Sequence, residues 1–160
     1  MTSLASGQLS RAVLIGVSSF TDPDLYDLPS VTNNVDTLHG MLTHPDWWGI
    51  PLENCARIKD DVSAQRVREL LREAARSAED VLLVYYAGHG LPLDPDDLVL
   101  ATTHTRQKSP RDSGVPIDDI RDVFLSSRAR TRVLVLDCCY SGRALERLRL
   151  DKATATLASV

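Results

Sequence analysis

Residues 132–142, RVLVLDCCYSG, constrain the fold of this chain more than any other stretch. Four apolar residues, Val133 to Leu136, are followed at once by a carboxylate, two thiols, a tyrosine, a serine and a glycine. A short run of β-branched and leucine residues that ends in polar residues predicts a buried parallel strand. In open α/β sheets, reactive groups lie just beyond the carboxyl ends of such strands. The two thiols are therefore placed for chemistry if the chain supplies a partner base.

Strand and helix patterns alternate along the chain, which predicts an α/β fold with a mostly parallel sheet covered by helices on both faces. Apolar runs of strand length occur at residues 11–17, 55–58, 80–87, 98–101 and 133–137. Apolar residues at helical spacing predict helices at about residues 30–42, 61–77 and 116–126. Ser63 is a suitable N-cap for the second of these helices. Residues 107–114 are predicted to form a polar loop.

The composition is that of one globular domain, and it excludes several functions. The net charge of the 160 residues is −4, and no run of Lys or Arg forms a basic patch, so nucleic acid is not an expected partner. No apolar run reaches the ~18 residues of a membrane span, and the polar residues 1–10 lack the apolar core of a signal peptide. Three cysteines, two of them adjacent, make no disulfide framework and predict a cytoplasmic location.

A second predicted strand, in DVLLVYYAGHG, ends at His89 between two glycines. Glycines let the backbone turn sharply there and leave the imidazole uncrowded. Parallel strands bring their carboxyl ends to one edge of a sheet, so His89 is predicted to face one of the thiols. An imidazole near a thiol lowers the thiol pKa and transfers protons, as a catalytic cysteine requires. Taken alone, a cysteine at a strand end is more often a small buried hydrophobic residue.

The motifs YYAGHG (residues 85–90) and DCCYSG (residues 137–142) resemble the histidine and cysteine motifs of the caspase–metacaspase clan of cysteine peptidases. Caspases carry their histidine about 50 residues before the cysteine, and His89 and Cys139 have this separation. The segments RAVLIGV and LPSVTNNVDTL also resemble the first strand and first helix of bacterial caspase-like members.

The resemblance covers about residues 10–145, which correspond to the large-subunit portion of a caspase-like three-layer sandwich. It implies a flexible leader at 1–10, a peptidase domain at 11–145 and a linker or tail at 146–160. Expected partners are a protein or peptide substrate and a missing small subunit or C-terminal half. Because no strand is predicted after residue 142, residues 133–136 are expected to present an open apolar sheet edge.

The resemblance implies that His89 is the general base and acid and that Cys139 is the nucleophile. Neighbouring side chains of a strand point to opposite faces, so only one thiol can meet His89, and Cys138 is expected to pack inward. The backbone N–H groups of Gly90 and Cys139 are expected to form the oxyanion hole, which stabilises the tetrahedral intermediate.

Substrate preference is also implied by the resemblance. Asp137 stands where metacaspases bind a P1 Arg or Lys, and alternation places it on the same face as Cys139. Asn34 stands where metacaspases often carry a second acid of the P1 pocket. No arginine follows the first strand to bind a P1 aspartate, so cleavage after Arg or Lys is expected.

No cofactor is expected for this chemistry. Many metacaspases bind activating calcium through acidic residues near Asp118 and Asp119, which makes these two residues the calcium candidates of this chain. Two adjacent carboxylates do not make a calcium site by themselves, because calcium takes six to eight oxygen ligands.

Two other functions are compatible with the sequence. The chain could act as a caspase-like interaction or scaffold module that is inactive as this fragment, because the missing half also shapes the substrate groove. A nucleotide-binding domain that uses residues 87–90 is poorly supported, because one GxG without the later glycine is a weak signal.

Overall fold

The computed structural model describes residues 5–93, 97–139 and 154–158. The strands are β1 (Arg11–Gly16), β2 (Cys55–Ile58), β3 (Val81–Ala87), β4 (Gly90–Pro92), β5 (Leu98–Leu100), β6 (Val115–Pro116), β7 (Thr131–Asp137) and β8 (Thr154–Ala158). The helices are α1 (Ser30–Thr43), α2 (Ala64–Ser77), α3 (Pro110–Ser113) and α4 (Ile117–Ser126), with a 3-10 turn at Leu52–Asn54. Over these ranges, none of the helices is long and apolar enough to cross a bilayer.

The main sheet has the strand order β2-β1-β3-β7-β8, and every neighbouring pair is parallel. The chain builds this sheet outward from β1 in both directions, so the strand order reverses between β1 and β3. In α/β sheets, a crevice for ligands opens at the carboxyl ends of the strands at such a switch point. The segments that follow β1 and β3 lie at this edge, together with Cys138 and Cys139 after β7.

Helices cover both faces of the sheet, because alternate residues of its strands point into two different cores. One core contains Leu82, Val84 and Tyr86 of β3 and packs against α2 and α4. The other contains Leu83 and Tyr85 of the same strand and packs against the buried residues of α1. Three layers result, and the predicted α/β fold class is confirmed.

The local sequence determines where helix α2 begins and which of its faces is buried. The Ser63 hydroxyl accepts a hydrogen bond from the Arg66 backbone N–H at 3.2 Å, which caps the helix as predicted. Its buried stripe contains Leu70 and Leu71, with relative exposures of 8% and 0%. Burying one such leucine contributes about 1.5–3 kcal/mol, which is more than the cap supplies.

A small antiparallel sheet, with the strand order β4-β5-β6, extends the fold beside the carboxyl end of β3. The run at residues 98–101 is therefore a strand, as predicted, but it does not join the parallel sheet. Strand β4 begins at Gly90, directly after the histidine, so this small sheet holds the His89 backbone from one side. The predicted loop at 107–114 contains the short helix α3.

Strand β8 corrects the prediction for the end of the chain. The segment 146–160 was expected to be a linker or tail with no strand, yet residues 154–158 pair in parallel with β7 from Arg132 to Leu136. The predicted open edge at residues 133–136 is therefore wrong. The pattern TATLA is short and weakly apolar, and it forms a strand because β7 offers it a row of unpaired backbone groups.

Candidate active site

The histidine and cysteine motifs meet at the carboxyl edge of the main sheet. Strands β3 and β7 are in register up to the pair Ala87 and Asp137, so the next residues of both strands leave the sheet together. The backbone N–H of Gly88 donates to the carbonyl oxygen of Asp137 at 3.3 Å. A Cβ atom added to Gly90 would collide with the carbonyl oxygen of Cys139. The backbones of the two motifs are thus in direct contact.

His89 is buried at this edge, with a relative exposure of 8%. Its Nε2 atom lies 2.8 Å from the backbone carbonyl oxygen of Tyr26. A carbonyl oxygen only accepts hydrogen bonds, so Nε2 carries a proton and Nδ1 is the basic nitrogen of the neutral ring. The imidazole is therefore fixed in one tautomer by a backbone carbonyl, which takes the role that a carboxylate has in many triads.

Two aromatic rings also hold the imidazole. The ring of Phe20 lies with its centroid 4.8 Å from that of His89, and the ring of Tyr26 stands edge-on to it at 4.5 Å. Such contacts each contribute about 0.5–1.5 kcal/mol beyond the area that they bury. The Tyr26 side chain is 68% exposed, so its ring also forms part of the open surface beside the histidine.

The backbone around His89 is fixed by the neighbouring tyrosine. The Tyr86 hydroxyl lies 2.9 Å from the carbonyl oxygen of His89 and 2.8 Å from that of Ala101. The Ala101 N–H also donates to the carbonyl oxygen of His89, at 2.9 Å. Tyr86 is fully buried and burial raises its pKa well above the usual value, so its hydroxyl keeps its one proton, which the two carbonyl oxygens share.

The loop between β1 and α1 positions the Tyr26 carbonyl. The Phe20 N–H donates to the Asp27 carboxylate at 3.1 Å, and the Leu28 N–H donates to the Ser18 carbonyl at 2.7 Å. Sequence reasoning missed Phe20 and Tyr26, because this turn-rich loop carries no nucleophile or imidazole. The aromatic residues on either side of TDPD could have indicated ring contacts with the histidine. The carbonyl that orients the imidazole has no signature in the sequence, because every residue carries one.

The two adjacent cysteines have opposite environments. Cys138 is buried in the core that contains Tyr86, as predicted, and Cys139 is exposed. Burial, then the neighbouring Cys139 and Asp137, raises the pKa of the Cys138 thiol to about 12. Burial also raises the pKa of Cys55 to about 11. Cys138 and Cys55 are therefore neutral at physiological pH, whatever the state of Cys139.

The two predicted P1-pocket residues, Asp137 and Asn34, share a neighbour that sequence reasoning did not identify, Tyr85 of β3. The Tyr85 hydroxyl donates a hydrogen bond to Oδ2 of Asp137 at 3.3 Å. Burial raises the pKa of Tyr85 to about 12, and the nearby Asn34 side chain acts to lower it. Asp137 is half-buried, and Asn34 lies on the exposed side of α1. Tyr85 belongs to the histidine motif, but the run VLLVYYA predicts only a strand and gives no sign of the contact with Asp137.

The calcium candidates lie elsewhere, at the start of α4. Asp119 is engaged by the Arg68 guanidinium at 2.6 Å, and Asp118 lies 3.8 Å from that of Arg111. Arg111 also pairs with the buried carboxylate of Asp97. In the part of the chain that the structure describes, no group of three or more His, Cys, Asp or Glu side chains could hold a metal ion. Calcium binding at Asp118 and Asp119 stays a prediction.

A family model described as the caspase domain, peptidase family C14, matches residues 9–157 of this chain. The solved structure of caspase-1 from Spodoptera frugiperda superposes with a TM-score of 0.61 at 12% identity, over 86% of this chain and 50% of that one. The structure of pro-sf-caspase-1 gives 0.55 at 11% identity, over 81% and 50%. At such identities the likeness shows the fold, and this chain spans half the length of either structure. No curated protein matches significantly.

Proposed function

Since this chain belongs to the caspase domain family of peptidases, we propose that it carries the catalytic dyad of a cysteine endopeptidase, with His89 as the base and Cys139 as the nucleophile. The observation that carries this proposal is the fixed imidazole at the sheet edge. Its Nε2 is committed to the Tyr26 carbonyl, and the backbone of the same motif touches the exposed Cys139. A buried, oriented base beside an exposed thiol is the arrangement that acyl transfer requires.

The proposed reaction proceeds through a thioester. Nδ1 of His89 takes the thiol proton as Sγ of Cys139 bonds to the carbonyl carbon of the scissile peptide. The N–H groups of Gly90 and Cys139 donate to the oxyanion, and each such donor lowers a barrier of this kind by roughly 2.7–4 kcal/mol. The C–N bond then breaks, and His89 gives its proton to the leaving amine. Water, deprotonated by His89, hydrolyses the thioester and regenerates the thiol.

We assign the P1 pocket to Asp137 and Asn34, which gives a preference for basic residues at P1. Asp137 is the last residue of β7, two residues before Cys139, and its side chain lies on the sheet face opposite Cys138. A carboxylate two residues from the nucleophile attracts an Arg or Lys side chain and repels an acidic one. The natural substrate is thus proposed to be a protein cleaved after Arg or Lys.

Replacing Asp137 by Ala tests the pocket assignment. Turnover of Arg-P1 fluorogenic peptides should fall about 10- to 100-fold, because a half-buried charge pair with the substrate is lost. The measurement is kcat/KM on peptides that differ only at P1. Asp122→Ala, on the outer face of α4, is the matched control and should turn over these peptides like the unmodified protein. Equal turnover by Asp137→Ala would remove Asp137 from the pocket.

Thiol alkylation tests the dyad without any peptide substrate. At pH 7.5, iodoacetamide should label Cys139 rapidly while Cys55 and Cys138, whose pKa values are raised to about 11 and 12, stay largely unmodified. His89→Ala should slow labelling of Cys139 and leave the other two thiols unchanged. Mass spectrometry of tryptic peptides measures all three rates in one sample. Labelling of Cys139 no faster than that of Cys55 would contradict an activated dyad.

A caspase-like interaction module is the second candidate function. The observation that favours it is length, since the chain spans half of each matched structure. The half of those structures that this chain does not match would help to form the substrate groove, and the dyad alone would then have no substrate. Peptide cleavage measured with and without a chain that supplies that half separates the two functions, since a module would cleave in neither case.

A further inference from the structure

We infer that the exposed ring of Tyr26 binds the substrate residue on the leaving side of the scissile bond, P1′. This ring selects a large apolar or aromatic P1′ side chain over a small or an acidic one. The inference rests on the proposed function and deepens it, because it names the substrate class on the leaving side. Tyr26 would then serve the reaction twice, through its ring and through the main-chain carbonyl that orients the base.

The place of the P1′ residue follows from the proton transfer that the reaction requires. His89 gives its proton to the leaving nitrogen, so this nitrogen must come within hydrogen-bond reach of the imidazole, about 2.6–3.2 Å. The Cα atom of P1′ is bonded to the same nitrogen, and its side chain begins one bond further on. That side chain therefore lies against the surface that borders the imidazole, which includes the rings of Phe20 and Tyr26.

The two rings differ in how much of their surface a substrate can reach. Phe20 is partly buried and packs against the larger core of the protein. Tyr26 is 68% exposed, and its ring plane stands at 83° to that of the imidazole. At this angle the two rings do not stack, so the imidazole leaves at least one face of the tyrosine uncovered. Tyr26 thus offers a large aromatic surface directly beside the proposed base.

The main chain that carries this ring is held in place on both sides. The Tyr26 carbonyl lies 2.8 Å from Nε2 of His89, and the preceding residue, Leu25, is buried. The Leu28 N–H donates to the Ser18 carbonyl at 2.7 Å, which closes the loop. A ring on a fixed main chain loses little conformational freedom when a substrate binds, so more of the contact free energy is available for selection.

The charges of the loop indicate which side chains it rejects. Residues 18–28 contain three aspartates and no Lys, Arg or His. The carboxylates of Asp22 and Asp27 both accept backbone N–H groups, which hold these charges close to the loop. A carboxylate at P1′ would be repelled here. An aromatic P1′ side chain would instead gain a ring contact with Tyr26, which favours offset-stacked or edge-to-face pairs.

The test uses internally quenched peptides that share Arg at P1 and carry Phe, Ala or Glu at P1′. The unmodified protein should cleave the Phe peptide with a kcat/KM about fivefold above that of the Ala peptide, and the Glu peptide most slowly. Tyr26→Ala should reduce the Phe/Ala ratio to about 1, and Tyr26→Phe, which keeps the ring, should keep the ratio. Because Tyr26 is exposed, neither substitution opens a cavity in the core.

Phe20→Leu is the matched control, because Phe20 contacts the same imidazole but packs against the core. It should lower kcat on the three peptides equally and leave the Phe/Ala ratio unchanged, which separates a loosened base from a lost subsite. No Phe preference in the unmodified protein, or an unchanged ratio in Tyr26→Ala, would overturn the subsite and leave the dyad standing. An unmodified protein that cleaves none of the peptides would overturn the proposed function and this inference with it.

Acyl transfer to an added amine gives a second, independent measurement. The amine nitrogen bonds to the thioester carbonyl carbon, the C–S bond breaks, and the amine proton passes through His89 to the Cys139 thiolate. Phenylalanine amide should compete with water about fivefold better than alanine amide in the unmodified protein, and no better than it in Tyr26→Ala. Mass spectrometry measures the yield of the new peptide bond against hydrolysis. Equal yields from the two amides in the unmodified protein would contradict a subsite at Tyr26.

Discussion

Replacing Cys139 by Ala should abolish peptide cleavage, and replacing the adjacent Cys138 by Ala should leave it in place. Loss of a nucleophile in a comparable hydrolase costs about 10⁴- to 10⁶-fold in kcat, because the base and the oxyanion hole have no covalent step left to assist. Cys138 lies on the other face of the strand, in the core beside Tyr86. The two substitutions are chemically identical and one residue apart, so the contrast isolates the role of the exposed thiol.

The readouts are kcat on an Arg-P1 peptide and the thermal midpoint of each variant. Cys138→Ala removes a buried thiol and should lower the free energy of unfolding by about 1 kcal/mol, which is about 2–4 °C in Tm for a chain of this size. Cys139→Ala removes an exposed group and should leave Tm unchanged. The reverse pattern, with an inactive Cys138→Ala and an active Cys139→Ala, would contradict the choice of nucleophile.

Gly90→Ala should separate the two motifs and reduce activity about 100-fold or more. An added Cβ atom would collide with the Cys139 carbonyl oxygen, and it would also press on Cys138 Sγ and Leu98 Cδ1, each at 3.2 Å. The carbonyl belongs to the backbone, so relief requires the histidine and cysteine segments to move apart. A displacement of about 1 Å between reacting groups costs on the order of 10²-fold in rate.

Gly40→Ala is the matched control for this prediction. Gly40 lies inside α1, and an added Cβ atom there meets nothing within 4 Å. Alanine at a helical position should stabilise the protein by about 0.5–1 kcal/mol and leave kcat unchanged. Chemical denaturation and peptide kinetics on both variants give the comparison. Wild-type activity in Gly90→Ala would show that the two backbones need not touch for catalysis.

Much of the fold follows from the apolar runs. The stretches RAVLIGV, VLLVYYA and TRVLVLD are strands because each is too short for a buried helix and ends in turn residues or polar groups. Their parallel pairing follows from the helices between them. The meeting of the His89 and Cys139 segments follows in turn, since parallel strands present their carboxyl ends together.

Other features depend on contacts that no local pattern encodes. The acceptor for His89 is a backbone carbonyl, and every residue has one, so nothing distinguishes Tyr26 before the loop is folded. Tyr85 and Tyr86 are adjacent and chemically alike, and only the sheet assigns one to each core. Strand β8 forms on the template of β7, which its own sequence does not predict.

The Tyr26 carbonyl has a consequence for how mutation can affect this site. A single substitution can remove a side-chain carboxylate in this role. A substitution at position 26 leaves the main-chain oxygen in place, unless it distorts the backbone of the loop. The orientation of the base is instead encoded in the length of the β1–α1 loop and in its ties to residues 103 and 107. In a mutational scan, this loop would tolerate replacements outside Phe20, Asp22, Tyr26 and Asp27, whose side chains make its contacts, and few insertions or deletions.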